Sequence, residues 1–215
     1  MLDLLADLPS APRSEPIGDG AVVLRAAARP IAGALVAEVD KIRAAAPFRH
    51  LVTPGGHTMS VAMTNCGSLG WVSRPAGYRY QDTDPDSGRR WPSMPAIFQT
   101  LAARAARDAG YPGFQPDACL INLYEPGARL TLHQDRDERD KTSPIVSVSL
   151  GLPAVFLFGG LRRTDRPRRI RLEDGDVVVW GGPTRLAFHG VETLADGSHP
   201  VTGRTRINLT FRRAG

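Results

Sequence analysis

From residue 118 onward the chain is cut into short β-compatible runs by turn-forming residues, and this punctuation limits the fold more than any other feature. Runs rich in Val, Ile, Leu, Phe and Trp occupy 118–124, 130–133, 145–150, 154–158, 169–172, 176–180, 186–189 and 204–211. Between them stand Pro126-Gly127, Gly159-Gly160, Asp174-Gly175 and Gly181-Gly182, residues that supply the positive φ of tight reversals. Many short strands in close succession predict a jelly roll or barrel. Upstream, 21–24 reads as a short strand, and Ile31, Leu35, Val36, Val39 and Ile42 recur at helical spacing over 31–46. A second amphipathic helix is expected over 94–108, stopped by Gly110 and Tyr111-Pro112. Between the helices the composition turns to Gly, Pro, Thr and aromatics, which suggests small strands and long loops. The expected architecture is mostly β with flanking helices (α+β). Residues 1–46 form an N-terminal extension with a scaffold helix, 47–92 a lid, and 93–215 the β core of one compact unit.

Lys and Arg number 27 against 22 Asp and Glu, a net charge of +5 that favours polyanionic partners. The two cysteines, Cys66 and Cys119, have no C-x-x-C spacing, so they suggest neither a disulfide framework nor a cysteine zinc site, but buried free thiols in a reducing compartment. No apolar run approaches the roughly 18 residues of a membrane span, and the first residues lack the pattern of a secretory signal. A soluble cytoplasmic protein is expected, and a monomer, since nothing marks an oligomer seam.

Side chains two apart on a strand point the same way, so Thr131, His133 and Asp135 share a face, which turns an imidazole and a carboxylate toward one point. His189, at the end of another expected strand, is the third candidate. Two histidines and a carboxylate make a facial triad, which leaves open positions on a non-haem Fe(II). Alone, a His-x-Asp pair also fits a solvated charged loop, and a lone histidine is more often structural. The remaining histidines, His50, His57 and His199, sit in less regular contexts.

In the last run, Arg204, Arg206, Asn208, Thr210 and Arg212 alternate with Ile207, Leu209 and Phe211. If that polar face looks into a dry barrel, each arginine carries a desolvation penalty of several kcal/mol unless an anion meets it. A bidentate guanidinium suits a carboxylate. The alternative is a solvent-facing edge strand. Asn122 and Tyr124 likewise share a face of 118–124, either to bond an oxyanion or as buried structural groups.

These residues, His133, Asp135, the distal His189 and the Arg206 to Arg212 pair, resemble the Fe(II)/2-oxoglutarate dioxygenases of the AlkB type. The likeness runs through VTPGGHTMSVAMTNCG, GYPGFQPDACLIN, LHQDRDERD, PIVSVSLGLPAVF, GDVVVWGG and RINLTFR, nearly the whole chain. It implies a double-stranded β-helix in which His133, Asp135 and His189 hold iron. Asn122, Tyr124 and Arg206 would grip the far carboxylate of 2-oxoglutarate, with Asn208 and Arg212 near its metal-binding end. With O2, the oxoacid would become succinate and CO2 while an N-methyl group on a damaged base, such as 1-methyladenine or 3-methylcytosine, leaves as formaldehyde. The resemblance further implies that the lid recognises a nucleotide. Trp71 would stack on a flipped base opposite His133 and Tyr78 would contact the backbone. Asp137 would face a cationic lesion, and Arg163, Thr53 and Met63 would lie on the substrate side. DNA is the implied partner, single-stranded in preference to double-stranded because flipping an unpaired base costs less, with RNA also open. Arg74, Arg79 and Arg136 are candidate phosphate neighbours, and Glu138, Arg139 and Asp140 are expected to form local ion pairs. One departure is His57, where bacterial relatives carry tyrosine; it bears on a backbone contact of the substrate.

Rival readings of the same residues are a Zn(II) or Mn(II) hydrolase or cupin-like isomerase built on His133, Asp135 and His189, and a basic single-strand-binding module with a vestigial pocket. A demethylase of RNA or protein is a fourth, because the fold does not fix the polymer.

Overall fold

Residue alternation decides how the β segments stack, and it is read most directly along the chain. The computed structural model describes residues 13–215. In order they form β1 (Ser14–Gly18), β2 (Ala21–Leu24), α1 (Ala32–Ala45), β3 (Arg49–Val52), β4 (Thr58–Gly67), β5 (Gly70–Arg74), β6 (Gly77–Gln81), α2 (Ala96–Asp108), β7 (Ala118–Tyr124), β8 (Leu130–His133), β9 (Ile145–Gly151), β10 (Ala154–Phe158), β11 (Arg168–Leu172), β12 (Val177–Trp180), β13 (His189–Val191) and β14 (Arg206–Arg212). An eight-stranded sheet has the order β1-β2-β12-β9-β14-β7-β4-β3, a four-stranded sheet the order β11-β10-β13-β8, and β5 and β6 pair alone. From β7 to β14 the chain crosses repeatedly between the two larger sheets, which is jelly-roll topology, as the turn spacing predicts.

The central strands of the large sheet, β7, β9, β12 and β14, bury both faces. Val146, Val148, Val177, Val179, Ile207, Leu209 and Phe211 pack with Leu35, Val36, Val39 and Ile42 of α1 and Phe98, Leu101 and Ala105 of α2. Their neighbours Ile145, Val178 and Trp180 turn the other way and pack with Phe156, Phe158, Ile170 and Leu172 of the small sheet. The period of two therefore sends the apolar residues of β14 to the helices and its polar residues between the sheets. α2 ends as expected: Gly110 takes φ +91°, its N–H bonds the Arg107 carbonyl at 3.0 Å, and the Tyr111 N–H bonds that of Ala106 at 2.8 Å. Both bonds belong to the Schellman pattern.

Residues 47–92 are joined to the core rather than separate from it. β4 pairs with β7 from Ala62 opposite Leu123 to Gly67 opposite Ala118, and β3 pairs with β4. The β5–β6 hairpin pairs by itself but is tied to the large sheet by Asn65 of β4, whose Nδ2 donates to the Trp71 carbonyl and whose Oδ1 accepts the Trp71 N–H, each at 3.0 Å; Arg49 ties down the loop after it through both carboxylate oxygens of Asp84, at 2.7 and 2.5 Å. Of the 1–46 segment, residues 1–12 lie outside the described residues, β1 and β2 close one edge of the large sheet, and α1 covers its outer face. Cys66 and Cys119 stand opposite each other on β4 and β7 as buried free thiols.

Two strand expectations need correction. Residues 186–188 are not a strand. Gly181-Gly182-Pro183 starts a 3-10 turn, Gly182–Thr184, whose Thr184 carbonyl accepts the Ala187 N–H at 2.8 Å, and extended pairing begins only at His189. The last strand starts at Arg206, while Arg204 is outside it and pairs with Asp196 at 2.8 Å.

In the helix-facing core Phe98 is fully buried and edge-on to Phe211 with ring centroids 5.9 Å apart. Phe98→Ala is expected to cost about 3–5 kcal/mol by chemical denaturation, the range for an aromatic removed from a packed core.

Candidate active site

β13 lies against β8 with His189 directly opposite His133. The approach depends on Gly190: a Cβ there would stand 2.6 Å from the Leu130 carbonyl oxygen and 3.1 Å from the Thr131 carbonyl carbon. Both imidazoles are fixed by the same device. His133 Nδ1 bonds the Thr131 carbonyl at 2.9 Å, and His189 Nδ1 bonds that of Ala187 at 3.0 Å. A carbonyl only accepts, so each Nδ1 carries its proton, and in the neutral imidazole the lone pair then sits on Nε2. Those Nε2 atoms lie 3.7 Å from Asp135 Oδ1 and 3.8 Å from Asp135 Oδ2. The ligand atoms of His133, Asp135 and His189 all fall within 4.8 Å of one another.

β8 ends at His133, so Asp135 comes from the following loop and needs a fastening of its own. Arg212 supplies it, donating from Nε at 2.9 Å and Nη2 at 2.5 Å to Asp135 Oδ2. Burial would raise the Asp135 pKa, but Arg212 and then the two histidines hold it well below the usual carboxylate range. Burial, with His133 beside it, pushes His189 down to about 4, so its imidazole is neutral at pH 7. Neutral imidazoles and an ionised carboxylate are the forms a metal requires, and two histidines with one carboxylate suit a mononuclear Fe(II) site.

The inward face of β14 carries Arg206, Asn208, Thr210 and Arg212, all buried. Arg212 is satisfied by Asp135 and, at 3.2 Å, by Glu138. Arg206 is not. At 1% exposure it lies with its guanidinium carbon 4.9 Å from the Tyr124 ring centre and gives one bond, Nη2 to Ser149 Oγ at 3.1 Å. Among the described residues its Nε and Nη1 have no partner, nor do Asn122 Oδ1 and Trp180 Nε1. Burial pulls the Arg206 pKa down, with Tyr124 opposing. An uncompensated buried guanidinium costs several kcal/mol, and a carboxylate ligand would offset that cost through two parallel bonds. Asn122 and Tyr124 stand on β7 opposite Asn208 and Arg206. Asn122 bonds Asn208 at 3.3 Å, and Asn208 in turn donates to Ser147 Oγ at 2.8 Å and the Val148 carbonyl at 3.0 Å.

Of the substrate-side candidates, the structure brings three together. Trp71 on β5 donates its indole N–H to Asp137 at 2.8 Å and stacks on Tyr78 of β6 with ring centroids 4.9 Å apart. Met63 is buried in β4, opposite Asn122 on β7. Arg163, exposed, lies 5.7 Å from the ring centre of Phe188, the residue before His189. Thr53 is spent on the β3–β4 turn, where its hydroxyl accepts the His57 N–H at 3.1 Å, and His57 itself is exposed. Of the other arginines, Arg79 bonds Gln81, Arg74 lies 3.9 Å from Asp86, and Arg136 is exposed.

Glu138 corrects an expectation. It is buried, not a local surface pair, and its carboxylate meets Tyr80 at 2.8 Å, Arg185 at 3.0 Å and Arg212 at 3.2 Å. Arg185 and Tyr80 were not legible as site residues, because their partners lie 47 and 58 positions away along the chain. Ser147 and Ser149 did leave a signal: two hydroxyls at period two in the otherwise apolar Ile145–Gly151 strand.

A jelly roll that presents two imidazoles and a carboxylate on its small sheet, with a free guanidinium buried between the sheets, is the framework of a metal-dependent enzyme that takes an anionic co-substrate. Residues 21–212 match the model of the 2OG-Fe(II) oxygenase superfamily, and the chain belongs to that family. It is 57% identical over 215 residues to the alpha-ketoglutarate-dependent dioxygenase AlkB of Escherichia coli (strain K12), covering 100% of this chain and 99% of that one. To the DNA N(6)-methyladenine demethylase ALKBH1D of Arabidopsis thaliana it is 37% identical over 160 residues, 61% of this chain and 35% of that protein. The solved structure of OsALKBH1 superposes with a TM-score of 0.84 at 29% identity, covering 94% of this chain and all of the other.

The enzyme is thus an Fe(II)- and 2-oxoglutarate-dependent dioxygenase, and the unpartnered atoms of Arg206 and Asn122 fit a carboxylate of the oxoacid. Arg206→Met removes an unpaired buried charge without leaving a void. Its unfolding temperature is expected not to fall, while the stabilisation by 2-oxoglutarate disappears, a term worth about 2.7 kcal/mol at a hundredfold excess over Kd. Thermal unfolding with and without the oxoacid checks both.

Proposed function

We propose that the chain removes N-methyl groups oxidatively from alkylated bases of nucleic acid, with DNA lesions such as 1-methyladenine and 3-methylcytosine as its main substrates and RNA as a further one. Fe(II) with 2-oxoglutarate and O2 supplies the oxidising power that hydroxylates the methyl carbon; the products are formaldehyde, succinate, CO2 and the restored base. In this reading His133, Asp135 and His189 hold the metal. Arg206, Asn122 and Tyr124 hold the far carboxylate of the oxoacid, Asn208 braces Asn122, and Arg212 keeps the Asp135 carboxylate in place.

The observation that carries the substrate reading is the contact of Trp71 with Asp137, a plate and a carboxylate two residues beyond Asp135. An aromatic face stacks on a flipped base, worth roughly 1–3 kcal/mol. A fixed carboxylate beside it favours a base made cationic by methylation over its neutral parent. Within 47–92, the β5–β6 hairpin acts as the lid that presents Trp71 and Tyr78, and Tyr78, 41% exposed, is free to meet the backbone. Arg163, Thr53 and Met63 complete the substrate side. A relative named as a DNA N(6)-methyladenine demethylase supports a methylated base of DNA as the substrate class. Flipping a base out of a duplex costs a few kcal/mol, so single strands are preferred to double strands. The net charge of +5 makes binding weaken with salt. The enzyme works as a cytoplasmic monomer; among the described residues no helix is long and apolar enough to cross a membrane.

Formaldehyde release from methylated single-stranded DNA tests this directly and is expected only with Fe(II), 2-oxoglutarate and O2 together. Asp135→Ala should lose metal and all turnover. Asp137→Asn should keep its metal and lose roughly tenfold in kcat/KM on cationic lesions, with a smaller loss on neutral ones, as expected for removal of one charge contact. Equal loss on both classes would remove the electrostatic role.

A further inference from the structure

The chain of contacts behind the metal set ends in one arginine that the activity has not yet used. Arg185 follows the Gly182–Thr184 turn and stands four residues before His189. It is 3% exposed, and every nitrogen of its guanidinium donates: Nε to the Ser143 carbonyl at 2.9 Å, Nη1 to the Asp135 carbonyl at 2.8 Å, and Nη2 to Glu138 Oε2 at 3.0 Å. All three acceptors belong to the loop between β8 and β9. That loop has no ladder of its own, so side chains must hold it. Beside Arg185, the Gln134 side chain bonds the Leu186 carbonyl at 2.6 Å.

The contacts close a ring. Glu138 Oε1 meets Arg212 Nε at 3.2 Å, and Arg212 grips the Asp135 carboxylate. Arg185 therefore holds Asp135 at both ends, its main chain directly and its carboxylate through Glu138 and Arg212. The two histidines need no such help, because the β8–β13 pairing already sets them opposite each other.

We propose that Arg185 is the positioning residue that sets Asp135 relative to His189, so that the metal finds three ligands rather than two. The proposal rests on the reading of His133, Asp135 and His189 as the metal set. A planar fork with five N–H groups reaches three acceptors at once, which a lysine ammonium on a flexible stem does not reproduce. Groups that orient ligands commonly change metal affinity by 10- to 100-fold when removed.

The test is Co(II) binding to the full-length protein, read by titration and by the visible absorption of bound Co(II), for the wild type, Arg185→Lys, Arg185→Met and Val39→Ala. Val39→Ala opens a cavity under α1, on the opposite face of the large sheet, and serves as a control for loss of stability alone. Expected are a Kd raised by roughly 10- to 100-fold in Arg185→Met with a changed Co(II) spectrum, partial recovery in Arg185→Lys, and a control within about twofold of the wild type. Should Arg185→Met not fold, Arg185→Lys against Val39→Ala decides alone. Wild-type affinity and spectrum in the folded arginine variants, or an equal loss in Val39→Ala, would overturn the positioning role. Failure of the wild type itself to bind Co(II) would overturn the metal reading beneath it.

Discussion

Everything in this molecule is arranged around a polar strand face that has been taken out of water. β14 sends Ile207, Leu209 and Phe211 to the helices and so must turn Arg206, Asn208, Thr210 and Arg212 inward. Two guanidiniums between packed sheets are tolerable only with anions beside them. At one end the protein supplies its own: Asp135 and Glu138 surround Arg212. At the other end the described residues supply none, and Arg206 keeps two unpartnered nitrogens. That asymmetry gives the interior one end where the charge is met and one where Arg206 is left unpartnered, the end to which the proposed function assigns the oxoacid.

The contacts differ in depth, and depth assigns them different work. Arg185, Glu138 and Arg212 are buried and mutually satisfied, so this array is rigid and a missing member leaves a charge stranded. The Trp71–Asp137 bond is exposed and carried by the small β5–β6 hairpin. Water competes for it, so it breaks at little cost. The site thus joins a rigid buried interior to an exposed contact open to solvent.

How much of this was legible in the sequence follows from the range of each interaction. Period-two alternation and Gly/Pro turns are local, so seven of the β-core runs, both helices and the inward polar face of β14 could be read directly. The run at 186–189 could not, because Pro183 diverts the chain into a 3-10 turn. His133 and Asp135 were visible as neighbours, but the site does not follow from their sharing a strand face: β8 stops at His133, and Asp135 is steered by Arg212, 77 residues away. Glu138 looked like one more charge in an acidic run; only the fold brings Tyr80, Arg185 and Arg212 to it. The family resemblance supplied roles that no local pattern carries, those of Trp71 and Asp137 above all.

The most direct test of this division is a crystal structure of the protein with Mn(II) and 2-oxoglutarate, grown without oxygen. The account predicts the metal on His133, Asp135 and His189, and the far carboxylate of the oxoacid on Arg206 Nε and Nη1 within hydrogen-bond distance of Asn122 or Tyr124. An oxoacid bound elsewhere, with Arg206 still unpartnered or turned toward solvent, would contradict it.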